Sequence, residues 1–273
     1  MAVTRPRRSA FDRASANDAG RSDTSERDPQ EDRLVALLRA RGHRPRHLPT
    51  TRIAPPDDPG PLREALRGIA DYDWLVVTSA RAVPPLLETL RPGEAATQAP
   101  ARVCAVGPRT ASALRRAGFE VDLIPERFIA EGVVDALLEE RSDLAGVRVL
   151  LPRAEEGRDI IPGRLRDAGA TVDVVTAYRT VPDPEGAGEL GRIVQAGEID
   201  VLTFAAGSAV RAFAAAWGTD GAREATGVRI AVIGPATGAV VETEGWRVDR
   251  VADPHTLEGL ADAVASLAEQ DAE

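Results

Sequence analysis

The sequence predicts an α/β protein built as two doubly wound parallel sheets. Three observations carry that class: an internal repeat, apolar strand-length runs alternating with amphipathic stretches, and helical stretches closed by glycine. The repeat comes first. VCAVGPRTASALRRAGFEVD from Val103 matches IAVIGPATGAVVETEGWRVD from Ile230, pairing Gly107 with Gly234, Thr110 with Thr237, Gly118 with Gly245 and Gly132 with Gly259, all 127 positions apart (234 less 107). The same offset lays VTSARAV at Val77 on FAAGSAV at Phe204, and RARG ending at Gly42 on RDAG ending at Gly169. Only the start breaks register: Pro6 in VTRPR resembles Pro152 in LLPRA at an offset of 146, 19 residues more than 127. The excess coincides with SAFDRASANDAGRSDTSERDPQ, about residues 9–30, a polar stretch read as a flexible insertion.

The elements follow in order. Strands are expected at AVTR, RPRHLP, DWLVVT, RVCAVG, EVDLIP, VRVLLP, TVDVVTAY, DVLTFA, RIAVIG and RVDRVA. Most are unbroken runs of Val, Ile and Leu, the pattern of parallel strands covered on both faces. Helices are expected at EDRLVALLRARG, RTASALRRAG, AEGVVDALLEER, GRDIIPGRLRDAG and TLEGLADAVASLAEQ. Several stretches stop at a glycine (Gly42, Gly118, Gly169, Gly245), the usual C-terminal signal.

Composition narrows the function. The chain has 273 residues, 43% of them hydrophobic and 28% charged, which suits a globular protein of two modest domains. Its net charge of −9 argues against a general nucleic-acid binder, since phosphate neutralisation needs a basic face. One cysteine, Cys104, excludes an internal disulfide and a multi-thiolate metal site. The histidines (His43, His47, His255) show no metal-ligand spacing. No apolar run approaches the roughly 20 residues that cross a bilayer, and the opening MAVTRPRRSA lacks a signal-peptide core. A cytoplasmic, metal-free protein with no membrane association is expected.

In open parallel sheets, ligands bind beyond the carboxyl ends of the strands. Those ends carry Arg5, Thr78-Ser79-Ala80-Arg81, Gly107-Pro108-Arg109-Thr110, Arg153, Gly207-Ser208 and Gly234-Pro235-Ala236-Thr237. Each precedes a helix, whose free N-terminal amides and dipole favour an anion. Several such turns around one cleft suit a ligand rich in carboxylates or phosphates. The same residues also read more plainly: Ser79 and Ser208 as N-caps, the arginines as solvated charges, the glycines as turn formers. Neither glycine turn matches G-x-G-x-x-G or a Walker A loop, so a nucleotide site is unsupported. Cys104 lies within an apolar strand as an inert thiol, and no G-x-S-x-G elbow or Ser/His/Asp grouping occurs. The acidic pairs Asp57-Asp58 and Glu155-Glu156 read as solvated loop residues.

VTRPR, DWLVVTSARAV, VCAVGPRTASALRRAGFEVDLIPE, VLLPRAEEGRDIIPGRLRDAGATVDVVTAYRT, IDVLTF and VRIAVIGPATG occur in one order. Together they resemble the uroporphyrinogen-III synthase family over nearly the whole chain, the insertion excepted. The resemblance implies two flavodoxin-like doubly wound domains joined by two extended linkers, interleaved along the chain, with the active site between them. Residues 1–52 with 181–273 then make one domain and residues 53–180 the other, linked through Thr51-Arg52-Ile53 and Tyr178-Arg179-Thr180. The repeat alone allows tandem domains equally.

The implied reaction closes the linear tetrapyrrole hydroxymethylbilane to uroporphyrinogen III, inverting the last ring and losing water without cofactor or metal. Its substrate carries eight carboxylates. By resemblance Tyr178 is the acid that assists departure of the hydroxyl; a linker tyrosine packed against one domain is the plainer reading. Arg5, Ser79, Arg81, Thr110, Arg153, Ser208 and Thr237 match substrate-binding positions. Where relatives commonly carry F-T-S, this chain has Phe204-Ala205-Ala206, two hydroxyls fewer. A monomer is implied. The rival readings are a two-lobed sensor that closes on an anion or tetrapyrrole without converting it, and a nucleotide-binding protein. A DNA-binding regulator is the less expected form of the sensor, since the last expected helix, ADAVASLAEQDAE, is followed by no helix-turn-helix in this sequence.

Overall fold

The computed structural model describes residues 2–4, 29–90, 100, 102–217 and 227–269. Residues 9–28 of the expected insertion, and Arg5, lie outside them. The last two residues of that stretch are a correction to it: Pro29 and Gln30 open a helix rather than ending a loop.

The described contacts divide the chain into one unit of Met1–Ile53 with Thr180–Glu273 and another of Ala54–Arg179. The chain begins in the first with β1 (Ala2–Thr4), α1 (Pro29–Ala40) and β2 (Arg46–His47), then leaves along β3 (Thr51–Ala54). The second unit holds α2 (Gly60–Arg67), β4 (Trp74–Val77), α3 (Val83–Thr89), β5 (Arg102–Ala105), α4 (Pro108–Arg116), α5 (Ala130–Glu140), β6 (Arg148–Ala154) and α6 (Ile160–Asp167). The long β7 (Thr171–Pro182) leads back. The first unit is completed by α7 (Pro184–Gln195), β8 (Val201–Phe204), α8 (Gly207–Trp217), β9 (Arg229–Val232), α9 (Pro235–Thr243), β10 (Arg250–Val251) and α10 (Leu257–Glu269).

The first unit's sheet runs β2-β1-β8-β9-β10. Counted within the unit, that is the 2-1-3-4-5 order of the flavodoxin-like arrangement, with every pair parallel. The second sheet runs β3-β7-β6-β4-β5, and Leu123 adds a parallel bridge to Cys104 beyond β5. Matched through the repeat, β7-β6-β4-β5-Leu123 has the spatial order of β2-β1-β8-β9-β10. The chain merely enters it at β4, the counterpart of β8. Both sheets therefore share one architecture, the second circularly permuted relative to the first.

Alternation along the strands explains the continuous apolar runs. Leu202, Phe204, Ile230 and Val232 pack with Leu190, Phe213 and Val241 on one face of the first sheet. Val201 and Ala231 pack with Leu34, Leu38, Leu260 and Val264 on the other. A parallel sheet covered on both sides needs apolar residues at successive positions. In the second unit Val76, Cys104, Val149 and Leu151 meet Val133, Leu137 and Leu165. Their neighbours Leu75 and Leu150 are fully buried as well.

Gly42, Gly118, Gly169 and Gly245 all have positive φ, from +81° to +95°. In each case the following N–H reaches back five residues, as Phe119 N does to Leu114 O (3.0 Å) and Trp246 N to Val241 O (3.1 Å). That is the Schellman closure, and it requires the left-handed residue that glycine supplies.

Two expectations change. EVDLIP forms only the bridge at Leu123, because the Asp122 carboxylate takes the Val103 N–H (2.7 Å) that would otherwise start a ladder. Asp249 does the same to Ile230 N (2.8 Å), leaving β10 two residues long. Thr51-Arg52-Ile53, expected to be extended, belongs to β3, which is paired to β7.

Candidate active site

Registers in the second sheet set the level of its carboxyl edge. Val77 faces Ala105, Leu75 faces Leu150, and Ala154 faces Tyr178 across a bulge. Continued past the strand ends, these registers bring Ser79, Gly107, Ala154 and Tyr178 to one level. Ser79 caps the turn Ala80–Ala82, its hydroxyl accepting from Arg81 N at 3.2 Å. Arg81 is half-buried, with further interactions of its own. Tyr178 is 7% exposed, and its carbonyl accepts from Glu155 N at 3.0 Å, tying it to the loop after β6.

Arg153 is committed to that loop. Its Nη1 donates to Arg158 O at 2.7 Å and its Nη2 to Asp159 Oδ1 at 2.8 Å, and its side chain is 17% exposed. A methyl on Gly157 would lie 2.7 Å from Arg153 Cδ, so the loop wraps tightly around the arginine. Arg179, beside Tyr178, is likewise taken, by Pro55 O (3.1 Å) and Asp57 Oδ2 (2.6 Å). Asp57 is thus a solvated loop residue, its side chain 78% exposed, that also pairs with Arg179.

Gly107 and Gly234 are the N-caps of α4 and α9, both fully extended (φ −172° and −175°) and with no side chain to cap the helix. Each helix opens on a proline, which has no N–H, and Thr237 N donates to Gly234 O (3.1 Å). The glycine N-cap therefore supplies no side-chain acceptor to the second-residue amide of either helix, nor to that of Thr110. Thr110 and Thr237, third residues of these helices, are both buried. Ser208 is not an N-cap: it is the second residue of α8, half-buried, after Gly207. Thr50, preceding β3, donates its hydroxyl to Ala209 O (2.8 Å) in that same turn. Among the predicted residues, Ser79, Arg81, Thr110, Arg153 and Tyr178 gather at the second unit's carboxyl edge, and Ser208 and Thr237 at the first unit's.

Cys104 is fully buried in β5, and burial pushes its thiol up to about 12 against the mild opposing pull of Arg102. A thiol so poor in thiolate is no nucleophile at neutral pH. Among the described residues, no helix is long and apolar enough to cross a membrane.

The family model described as Uroporphyrinogen-III synthase HemD matches residues 32–262. The chain belongs to the uroporphyrinogen-III synthase family. The uroporphyrinogen-III synthase of Synechococcus elongatus is 34% identical over 247 residues, 88% of this chain and 92% of that one. Two solved structures share the fold. The uroporphyrinogen-III synthetase of Helicobacter pylori superposes with a TM-score of 0.55 at 21% identity, covering 81% of this chain and 92% of its own. A mutant uroporphyrinogen III synthase of Thermus thermophilus gives 0.52 at 19% identity, covering 99% of each chain.

Within this synthase-family chain, one part of the edge escapes sequence reading. Phe128 and Ile129 are exposed by 57% and 49%, beside the Gly107 turn. Their repeat counterparts are His255 and Thr256, 127 positions on (255 less 128). That pairing is the one signal in the sequence that singles them out.

Proposed function

We propose that this chain is a uroporphyrinogen-III synthase: it cyclises hydroxymethylbilane to uroporphyrinogen III with inversion of the terminal pyrrole and loss of water. The observation that carries the reading is the 34% identity with the Synechococcus synthase across 88% of the chain. The carboxyl edges support it. Two glycine-capped helices, α4 through its second and third residues and α9 through its second, offer amides to an anion, and the substrate is a polycarboxylate. The net charge of −9 is no obstacle, because local amides and arginines govern binding.

In this proposal Tyr178 donates a hydrogen bond or proton to the departing hydroxyl, which leaves as water. The electrophilic methylene of the resulting azafulvene bonds to the substituted carbon of the last pyrrole to give a spiro intermediate. The old bond from that carbon to its bridging methylene then breaks, that methylene bonds to the neighbouring free carbon, and loss of the proton there leaves the ring inverted. A phenol is a weak acid near neutrality, so hydrogen-bond donation carries most of its effect. Arg5, Ser79, Arg81, Thr110, Ser208 and Thr237 hold the carboxylates and fold the bilane so that this carbon meets the cation. Arg153 contributes by shaping the loop at Tyr178. The bond changes need neither metal nor cofactor. A cytoplasmic monomer of two interleaved domains, 1–52 with 181–273 and 53–180, completes the reading.

The test supplies purified protein with hydroxymethylbilane, oxidises the products and separates the uroporphyrin isomers. Predominantly isomer III is expected. Isomer I alone, the product of unaided closure, from folded protein overturns the synthase and moves a non-catalytic sensor to the front.

A further inference from the structure

The second unit breaks a local rule beside its candidate site. Ile129 occupies the N-cap of α5 and makes no capping hydrogen bond. Isoleucine is among the poorest residues for that position. Its counterpart Thr256 does cap α10, accepting from Gly259 N at 3.2 Å.

Both turns close on the same backbone contacts, although the Asp253-Pro254 peptide is cis in the first unit. Ile129 N donates to Arg127 O (2.8 Å), and Thr256 N to Pro254 O (2.7 Å). A methyl on Gly132 would lie 2.1 Å from Arg127 O, and one on Gly259 2.0 Å from Pro254 O. One turn thus presents Phe-Ile in one unit and His-Thr in the other.

Phe128 and Ile129 are two of four large apolar side chains left exposed among the described residues, and they are consecutive. The root of the Phe128 ring lies over Gly107, where a methyl would come within 3.2 Å of Cγ. Phe128 therefore lies against the N-terminus of α4 and remains 57% exposed. Forgoing a helix cap in order to expose apolar surface beside a site is the kind of local conflict that function maintains.

We propose that Phe128 and Ile129 form an apolar platform against which one pyrrole ring of the substrate stacks, next to the α4 amides that hold its carboxylates. This rests on the synthase reading. A tetrapyrrole presents aromatic faces as well as carboxylates, and amides and hydroxyls alone would leave those faces unmatched. The equivalent turn of the first unit carries His255 and Thr256 instead.

The experiment measures steady-state formation of isomer III by the full chain and by Phe128→Ala, Phe128→Tyr and Ile129→Thr, together with thermal unfolding of each. Phe128→Ala raises KM for hydroxymethylbilane by about tenfold with kcat within about twofold, and Phe128→Tyr restores it. Ile129→Thr raises the unfolding midpoint by restoring a cap, yet also raises KM, opposite movements that a purely structural role does not produce. KM within about twofold of the parent for both Phe128→Ala and Ile129→Thr, in a parent that makes isomer III, overturns the platform. A parent yielding isomer I alone overturns the synthase reading itself, and the platform with it.

Discussion

Tyr178 is one place where the two copies differ in chemistry: its counterpart 127 positions earlier is Thr51. The tyrosine is held by backbone pairing on β7 and by the Glu155 N–H on its carbonyl, so its placement does not depend on its hydroxyl. Removing that oxygen alone is therefore a clean experiment. For Tyr178→Phe we expect kcat to fall about 100-fold, the low end for a positioned proton donor, because a phenol assists chiefly by donating a hydrogen bond. KM and the unfolding midpoint should scarcely move, since the hydroxyl acts on the leaving group rather than on folding or uniform binding. Initial rates of isomer III formation and a thermal melt check both parts. A kcat within twofold of the parent would remove Tyr178 from the mechanism.

Among the helices, glycines that look alike in sequence carry opposite predictions. Gly132 in α5 has no room for a methyl, which would sit 2.1 Å from Arg127 O, so Gly132→Ala must displace the turn that presents Phe128. A loss of about 2–3 kcal/mol is expected in urea unfolding. Gly163 in α6 has open space around it, and Gly163→Ala should gain about 0.5–1 kcal/mol by stiffening the unfolded chain. A cost below about 0.5 kcal/mol for Gly132→Ala would show that the turn yields easily. The glycines that end helices were readable directly, because a left-handed stop is a local demand. The buried strands were readable for a similar reason: two covered faces leave no alternation to misread. β3 was not, since TRIA is short, exposes Arg52, and becomes sheet only beside β7, which arrives from far along the chain. The site divides in the same way. The parallel-sheet rule picks out the strand-end turns, but which side chains those turns already use is tertiary. Thus the engagement of Arg153 by Asp159 and the exposure of Phe128 appear only in the folded chain.

At the scale of the whole chain, duplication and connectivity pull against each other. The sequence repeats as if it were cut near residue 146, whereas the contacts divide it at Ile53/Ala54 and Arg179/Thr180. The sheets show what each cut does. Severing the chain after Gly146 parts β1 from β8 in one sheet and β4 from β6 in the other, pairs at the heart of each order rather than at an edge. Each half-length piece then has two broken sheets with apolar strands facing water, and neither should fold alone. Excising residues 54–179 instead keeps β4, β5, β6 and most of β7. It also keeps the whole cluster around Val76, Cys104, Val149 and Leu137. What it loses at the sheet is β3 and the end of β7, both at one edge. We therefore expect the 54–179 fragment to show cooperative urea unfolding and protected amides along β4 and β6. The fragments 1–146 and 147–273 should show neither. Cooperative folding of 1–146, with a non-cooperative 54–179, would mean that the repeat boundary, and not the contact boundary, marks the unit that folds.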